Sequence, residues 1–473
     1  MFALMPKGEP HNRSVWELPL PTGVLPAFRQ KNVHVDTVVV GAGLTGLSAA
    51  LHLLEASPGR DVVVLDGGNF GGGASGRSTG MLTPGVGQNL SSLIQRYGSD
   101  KARALYRETL AAVSYAERLV ARLQIDCQLR MTGQLIVLPR RGRMQNRLQT
   151  LIDAFERLDL PHEPWDLQKL SQRARFAVPQ GPAATEEPVA LRLPNAGTLH
   201  PGLLLDGLAN KVLRLGGKIH EHSQVTSVSG SAHVSVLTRD GGSLKARNVV
   251  WATSGYDAER RFFKGRVLPV HLGVVATEPL DTSQMAALGW PGRECAIDCR
   301  RLFNYFRLTE DNRIVFGGGA PRYRWGGSLR QPQGSQEDLR GLANELSEVF
   351  AHAGGLRISS AWTGVIGYVV DTVPTIRWLE DKGTVLYAGA WSGHGIALSI
   401  QSGLWVRQLI DEGAAPNDLP WFTHTPPLLP TEPLRWCGFK AVVQTMALLD
   451  AFWPDGRAPA SAPNRLASGD AES

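Results

Sequence analysis

The feature that most constrains this chain is a glycine spacing set between a strand-like run and a helix-like run. Val35-Asp36-Thr37-Val38-Val39-Val40 is rich in β-branched residues, Gly41-Ala42-Gly43-Leu44-Thr45-Gly46 follows, and Leu47–Leu54 continues as a good helix. Asp61–Asp66 then repeats the pattern of a buried strand. Strand, helix and strand in so short a stretch make a right-handed βαβ unit. In such a unit the first glycine permits the tight turn and the second lets backbone approach a pyrophosphate. The third lets helix and strand pack closely, with the helix N-terminus facing the negative charge. Asp66 ends the second strand at the distance where an acid accepts a ribose hydroxyl. An isolated glycine triplet is weak evidence; here both flanks and the acid agree, and a dinucleotide site is predicted.

Two further segments bear on which dinucleotide. Gly71-Gly72-Gly73-Ala74-Ser75-Gly76-Arg77-Ser78-Thr79-Gly80-Met81-Leu82-Thr83-Pro84 is too rich in small residues for an ordinary loop. Its backbone must pass close to something flat or phosphorylated, and the embedded Arg77, Met81 and Leu82 argue against a flexible linker. Late in the chain, Gly389-Ala390-Trp391-Ser392-Gly393-His394-Gly395 precedes a helix from Ile396 to Ile410. The free N–H groups and positive dipole end of that helix suit a site where negative charge develops. His394 reads either as a catalytic base or, between two glycines, as a turn residue contributing backbone.

Composition narrows the function classes. The net charge of +6 is spread along the chain and interleaved with acids; its densest cluster, Arg140-Arg141-Gly142-Arg143, accompanies no recognition motif, so no nucleic-acid partner is expected. Cys127, Cys295, Cys299 and Cys437 are too scattered for a disulfide framework or a four-ligand zinc site, and no metal is expected. The opening residues carry no secretory-type apolar core, and nowhere do about 18 apolar residues run together. A soluble, cytoplasmic protein is the expectation.

The fingerprint, the Gly-Ala-Ser-Gly-Arg-Ser-x-Gly segment and the Gly-Ala-Trp-Ser-Gly-His-Gly turn together resemble the D-amino-acid-oxidase-type FAD oxidoreductases, a family that includes glycine oxidase, sarcosine oxidase and γ-glutamylputrescine oxidase. The resemblance covers about Ser14 to Trp453. It implies FAD as cofactor and an α/β fold: a Rossmann-type FAD-binding domain interleaved with an α+β, antiparallel-sheet substrate domain. By position it implies that Gly41, Gly43, Leu44, Thr45 and Gly46 hold the pyrophosphate and Asp66 the adenosine ribose. Ala74, Ser75, Arg77, Ser78, Gly80 and Met81 fall under the ribityl chain and flavin edge, and Val225 beside adenine. Thr253 and Gly255 match a second phosphate-side turn. Gly393, His394, Gly395 and Ile396 fall beside the pyrimidine ring.

The same comparison bears on substrate. Covalent attachment in this family uses a cysteine or histidine at positions held here by Ile366 and Arg77, so FAD is expected to be non-covalent. Amino-acid-oxidising relatives place a carboxylate-binding arginine where Ile366 stands, and sarcosine-oxidising relatives a lysine where Ala397 stands. With both anchors missing, the expected substrate is a small-molecule amine whose carboxylate, if any, is remote. Its C–N bond would be oxidised by hydride transfer, with O2 or another electron acceptor completing turnover. The alternatives are a dehydrogenase passing electrons to a non-oxygen acceptor and a non-catalytic flavin-binding protein.

Read as one strand, Arg301–Arg307 puts Arg301, Phe303, Tyr305 and Arg307 on one face. Tyr305 and Arg307 then either line the pocket as catalytic or anchoring groups, or Arg307 pairs with an acid on the sheet surface. Tyr368 and Asp371 are further candidates near the amine, Asp371 reading also as a turn residue ahead of Pro374. The expected organisation is a proline-rich arm at 1–33, an FAD domain from 34–100, 195–258 and 360–412, and a substrate domain from 101–194 and 259–359. A C-terminal extension, 413–453, carries an apolar helix, and a disordered tail spans 454–473. On that helix Trp436, Phe439, Val443 and Ala447 either pack back on the body or make a peripheral membrane contact through 434–453.

Overall fold

The computed structural model describes residues 12–19, 21–87, 90–140, 144–179, 187–230, 233–257, 262–329, 336–379 and 383–452, with backbone only for 336–338. The tail expected to be disordered, the first residues of the arm and Arg141–Arg143 lie outside the described residues.

Two large sheets organise the molecule. In the first, the order is Thr375–Trp378, Val385–Gly389, Ser243–Trp251, Val33–Val40, Val62–Leu65 and Lys218–His220. Every neighbouring pair from Val385–Gly389 onward is parallel. A ribbon of Val225–Ser229 and Val234–Thr238 joins antiparallel to Ser243–Trp251. Parallel strands are covered on both faces, which is why Val62–Leu65 is an unbroken apolar run buried at every position. The helix Leu44–Ala56 is likewise buried at every residue from Leu44 to Leu54. It packs beside Ile396–Asp411, where Ser48 Oγ donates to the Ile400 carbonyl at 2.6 Å, so a sequence apolar all round suits it better than an amphipathic one.

The second sheet runs Ile358–Tyr368, Leu268–Thr277, Ile314–Tyr323, Tyr305–Leu308, Cys295–Asp298, Gln134–Val137, Ala190–Leu193 and Glu163–Trp165. It is antiparallel as expected except at one junction, where Cys295–Asp298 pairs parallel with Gln134–Val137. The chain reaches that strand by a long excursion rather than a hairpin, so nothing forces it to run back. Residues 360–368, grouped with the FAD-binding segments from sequence, form most of the edge strand Ile358–Tyr368 of this second sheet.

Arg301–Arg307 is not one strand. The Asp298 carboxylate accepts from the backbone N–H groups of Arg300 and Asn304 at 3.1 and 3.2 Å, closing a turn, and strand pairing begins only at Tyr305. Local side-chain-to-backbone bonds of this kind compete with the ladder. Arg301 therefore leaves the face it was expected to share and pairs with Asp450 at 3.0 Å.

Candidate functional site

A cleft of about 990 Å³ opens where the parallel strands end, the place where open α/β sheets bind ligands. The three sequence segments meet there. Gly41 turns with φ +107°, and a Cβ on it would lie 2.6 Å from the Ala252 carbonyl oxygen. A Cβ on Gly46 would lie 1.8 Å from the Gly41 oxygen and 3.1 Å from Val39 Cγ1. The first glycine thus makes the turn and the third the close helix–strand contact. Gly43, Leu44 and Thr45 line the cleft.

The helices starting at Leu44 and Ile396 both begin at this cleft with a glycine N-cap, no side-chain cap and no acid in the first turn. Their N-termini are held side by side, since Trp391 Nε1 donates to Thr45 Oγ1 at 3.0 Å. Leu44 N donates to Ser75 Oγ at 3.0 Å, bringing the small-residue segment onto the same end. Two helix N-termini whose glycine N-caps supply no side-chain cap, and a cleft lined in large part by backbone, fit a dinucleotide.

At the far end of the first βαβ unit, Asp66 accepts from Ala42 N at 2.8 Å and Gly68 N at 3.0 Å. Burial raises its pKa, and these two N–H groups oppose that. Glu221 and Gln224 line the cleft beside it. Val225 is on the wall, as expected, and so is Thr253; Gly255 is not. Gly255 serves packing instead, since a Cβ there would meet the Ile366 carbonyl oxygen at 2.6 Å.

Ala74, Ser75, Arg77 and Ser78 line the cleft, whereas Gly80 and Met81 are not on its described wall. Met81 instead pairs with Thr198 in a two-stranded ladder. Arg77 turns inward: its Nε donates to the Thr363 carbonyl at 2.8 Å and its Nη2 to that of Asn12. Residues 12–19 run across this segment, with Ser14 Oγ bonded to the Gly76 carbonyl at 3.0 Å and Trp16 Nε1 to that of Ser78 at 2.7 Å. Trp16 and Tyr256, whose hydroxyl pKa burial pushes up to about 12, line the cleft but were not singled out in the sequence. Tyr256 could have been found by its place in the turn after Thr253; Trp16, far away in sequence, could not.

The end of the cleft where the resemblance puts the flavin is bounded by Gly393, Gly395, Ile396, Leu329 and Ile366. Ile366 Cδ1 lies 3.6 Å from where a Cβ on Gly393 would stand. The His394 ring packs away from this wall, against the turn at Gly85–Gly87, and burial holds its pKa below the usual value. The geometry thus has the backbone of this turn, rather than its imidazole, at the cleft.

Tyr305 and Arg307 are not on the described wall either. Tyr305 pairs with Gly317, and a Cβ there would come 2.1 Å from its ring. Arg307 is 2% exposed. Its Nη1 donates to the carbonyls of Gly80 and Leu199 at 3.0 and 2.5 Å, and its guanidinium lies 5.4 Å from the Trp16 ring centroid. Neither of the two expected surroundings, pocket or acid on the surface, is the one observed. Asp371 lies 2.9 Å from His424 Nε2 and 3.3 Å from Arg96 Nη2. Burial alone would raise its pKa, but these two partners outweigh it and hold the carboxyl below the usual range.

The fold and cleft define a dinucleotide-dependent oxidoreductase of the doubly wound type. Residues 36–409 match the family described as DAO, FAD dependent oxidoreductase, and the chain belongs to that family and depends on FAD. It is 30% identical over 382 residues to γ-glutamylputrescine oxidoreductase of Escherichia coli K12, covering 80% of this chain and 84% of that protein. It is 23% identical to the sarcosine oxidase β subunit of Rhodobacter capsulatus, covering 80% and 86%. Among solved structures, glycine oxidase of Geobacillus kaustophilus superposes with a TM-score of 0.66 at 20% identity, over 83% of this chain and all of that one; this likeness concerns the fold. No described helix is long and apolar enough to cross a membrane, and no cluster suited to a metal ion occurs among the described residues.

Proposed function

We propose that the protein oxidises the C–N bond of an amine that lacks an α-carboxylate anchor, with FAD bound non-covalently. The observation that carries this reading is Ile366 at the flavin end of the cleft. Among the described residues, the charged ones lining the cleft are Arg13, Glu17, Asp66, Arg77, Asp206 and Glu221, and all come from segments outside the strand and turn that carry Ile366 and Gly393. A small amino acid held by a forked cation needs one beside the reacting carbon. An amine with a remote carboxylate does not, and γ-glutamylputrescine, named in a relative, has that chemistry.

When bound, FAD would supply the redox chemistry, that of an acceptor for hydride from the carbon next to the neutral amine. Gly41–Gly46, Ser75 and Asp66 position the nucleotide half. The N-terminus of Ile396–Asp411 would stabilise negative charge developing on the flavin. The apolar wall at Ile366 excludes water and favours the neutral, reactive form of the amine. The amine becomes an imine, which water hydrolyses; O2 is the expected acceptor, giving H2O2.

An absorbance spectrum and an anaerobic amine titration test this reading. Oxidised-flavin bands that bleach with a polyamine derivative and return with peroxide on admitting air are expected, with flavin released into the supernatant on acid precipitation. Bleaching without reoxidation by air replaces O2 with another acceptor. Flavin that no amine bleaches overturns the reading in favour of a non-catalytic flavoprotein.

A further inference from the structure

The edge strand Ile358–Tyr368 pairs with Leu268–Thr277 so that Tyr368 faces Leu268, Ile366 faces Val270, Gly364 faces Leu272 and Trp362 faces Val274. Residues directly opposite on antiparallel strands share a face. Ile366 shows which face this is, because it bounds the flavin end of the cleft. Three separate segments cover the face along its length. At one end Trp16 packs with Val274, Ala276, Val315 and Trp362, all 3% exposed or less. In the middle, a Cβ on Gly364 would stand 3.6 Å from Arg77 Cβ. At the other end Leu429, Trp436 and Phe439 of the C-terminal extension pack in one cluster with Leu268, Val270, Tyr323, Ile366 and Tyr368.

The two ends differ. The Trp16 end is dry, whereas Ile366, Tyr368, Trp436 and Phe439 each remain partly exposed. The helix Leu434–Phe452 is also latched at both ends. The Glu432 carboxylate accepts from Tyr323 Oη at 2.7 Å and from Trp436 N at 3.0 Å. The Asp450 carboxylate accepts from the backbone of Arg301 and Leu302, at 3.0 Å in each case, and from Arg301 Nη1 at 3.0 Å. Charge-assisted bonds at both ends fix the helix against the sheet. This helix lies beyond the residues that match the family, 36–409.

We infer that the helix Leu434–Phe452 closes the amine pocket beyond Ile366, with Trp436 and Phe439, which pack behind Ile366 rather than on the cleft's described lining, setting the length and bulk of the aliphatic chain that the pocket admits beyond the reacting carbon. The inference rests on the amine-oxidising reading for its substrate, but not for the position of the wall. An aromatic wall beside Ile366 and Tyr368 offers apolar surface to methylene groups, with the Lys440 ammonium 3.7 Å from the Trp436 ring centroid. Faces that approach the substrate from outside the shared fold are a natural place for specificity to vary.

The test uses the full-length holoprotein and its Phe439→Ala, Trp436→Ala and Phe439→Leu variants, with Val442→Ser on the exposed side of the same helix as control. The probes are a series of linear diamines and their acylated derivatives, in anaerobic flavin bleaching, and iodide quenching of flavin fluorescence. The alanine variants should raise the half-saturating concentration of the longest effective amine at least tenfold, with the limiting bleaching rate changed less than threefold. They should also admit branched amines and raise the iodide quenching constant at least twofold. Phe439→Leu should fall between, and Val442→Ser should match wild type. An unchanged order of amines and unchanged quenching in variants that retain FAD overturn the inference. If an alanine variant loses FAD, Phe439→Leu decides by the same readings. If no amine bleaches the wild type, the amine-oxidising reading fails, and iodide quenching still decides whether the helix walls the flavin.

Discussion

The nucleotide end and the amine end of the cleft are built from different materials. At the nucleotide end much of the wall is backbone: Gly41, Gly43 and the glycines of 71–76, two helix N-termini, and the carboxylate of Asp66, tied to two N–H groups and with Glu221 beside it. At the proposed amine end the lining includes Ile366, which packs with Tyr368 and with Trp436 and Phe439 of a helix from the far end of the sequence. At Gly41, Gly46 and Gly76 a Cβ would come within 2.6 Å of a backbone oxygen, so these positions are rigidly demanding in sequence. Side-chain walls tolerate substitution of one apolar group for another. The first end should therefore be brittle and generic, the second adjustable and particular to this chain.

The sharpest way to break that contrast is Gly46→Val. Its Cβ would fall 1.8 Å from a backbone oxygen, which no rotamer relieves, so we expect no FAD-loaded folded protein, read as flavin absorbance per chain and by thermal unfolding. Flavin retained near wild-type level would show the helix–strand contact to be less tight than described. Next in size, Asp66→Ala should weaken FAD binding by about 10- to 100-fold, the order expected from roughly 1–3 kcal/mol for orphaning buried donors; titration of the apoprotein measures it. Arg307→Met removes the donor to the Leu199 carbonyl, while the Gly80 carbonyl keeps the Leu199 N–H at 2.8 Å, and should cost about 1–3 kcal/mol of stability, with KM for the amine little changed. A large rise in KM with unaltered melting would instead place Arg307 at the substrate.

Smaller effects sharpen the comparison. His394→Asn should reduce turnover by less than about tenfold, because the turn contributes backbone; a general base would cost about 10²–10⁴-fold. Acid should destabilise the protein gradually. Burial holds His52, His200, His271 and His394 below their usual pKa. Below about pH 6.5 the unfolded chain therefore binds more protons than the folded one, and stability falls as pH drops through that region. Melting temperatures between about pH 5 and 8 should rise with pH; a flat profile would mean that these rings titrate normally.

The same contrast explains what was legible in the sequence. The βαβ unit and its dinucleotide turn follow from glycine spacing, because Gly41 and Gly46 answer backbone distances that only glycine satisfies; most of the other residues expected to hold FAD were implied by the family resemblance. Gly80, Met81 and Gly255 belonged to the right segments but stand behind the wall, a distinction of one or two residues that spacing does not encode. The amine end was less readable. Period 2 names the members of a face but not its direction, and Asp298 ended the expected strand at Arg301–Asn304 through a local turn. Arg307 went to backbone carbonyls because a buried guanidinium needs acceptors, and Gly80 and Leu199 supply them from segments distant in sequence. Trp436 and Phe439 were read correctly as a helical stripe with two destinations. Their packing onto Tyr323 and Val270 depends on how the chain returns to the sheet. The opposite side of that helix, with Leu434, Val442, Leu448 and Phe452, is exposed.

The central claim is that the flavin is served by a pocket without a cation for an α-carboxylate. Anaerobic titration of the holoprotein with glycine, sarcosine and a long-chain acylated diamine tests it most directly. The account predicts bleaching of the flavin bands by the diamine derivative at concentrations at least 100-fold below any effect of glycine or sarcosine. Bleaching by glycine or sarcosine at equal or lower concentration would contradict it, and would mean that an anchor other than Ile366 and Ala397 holds the carboxylate.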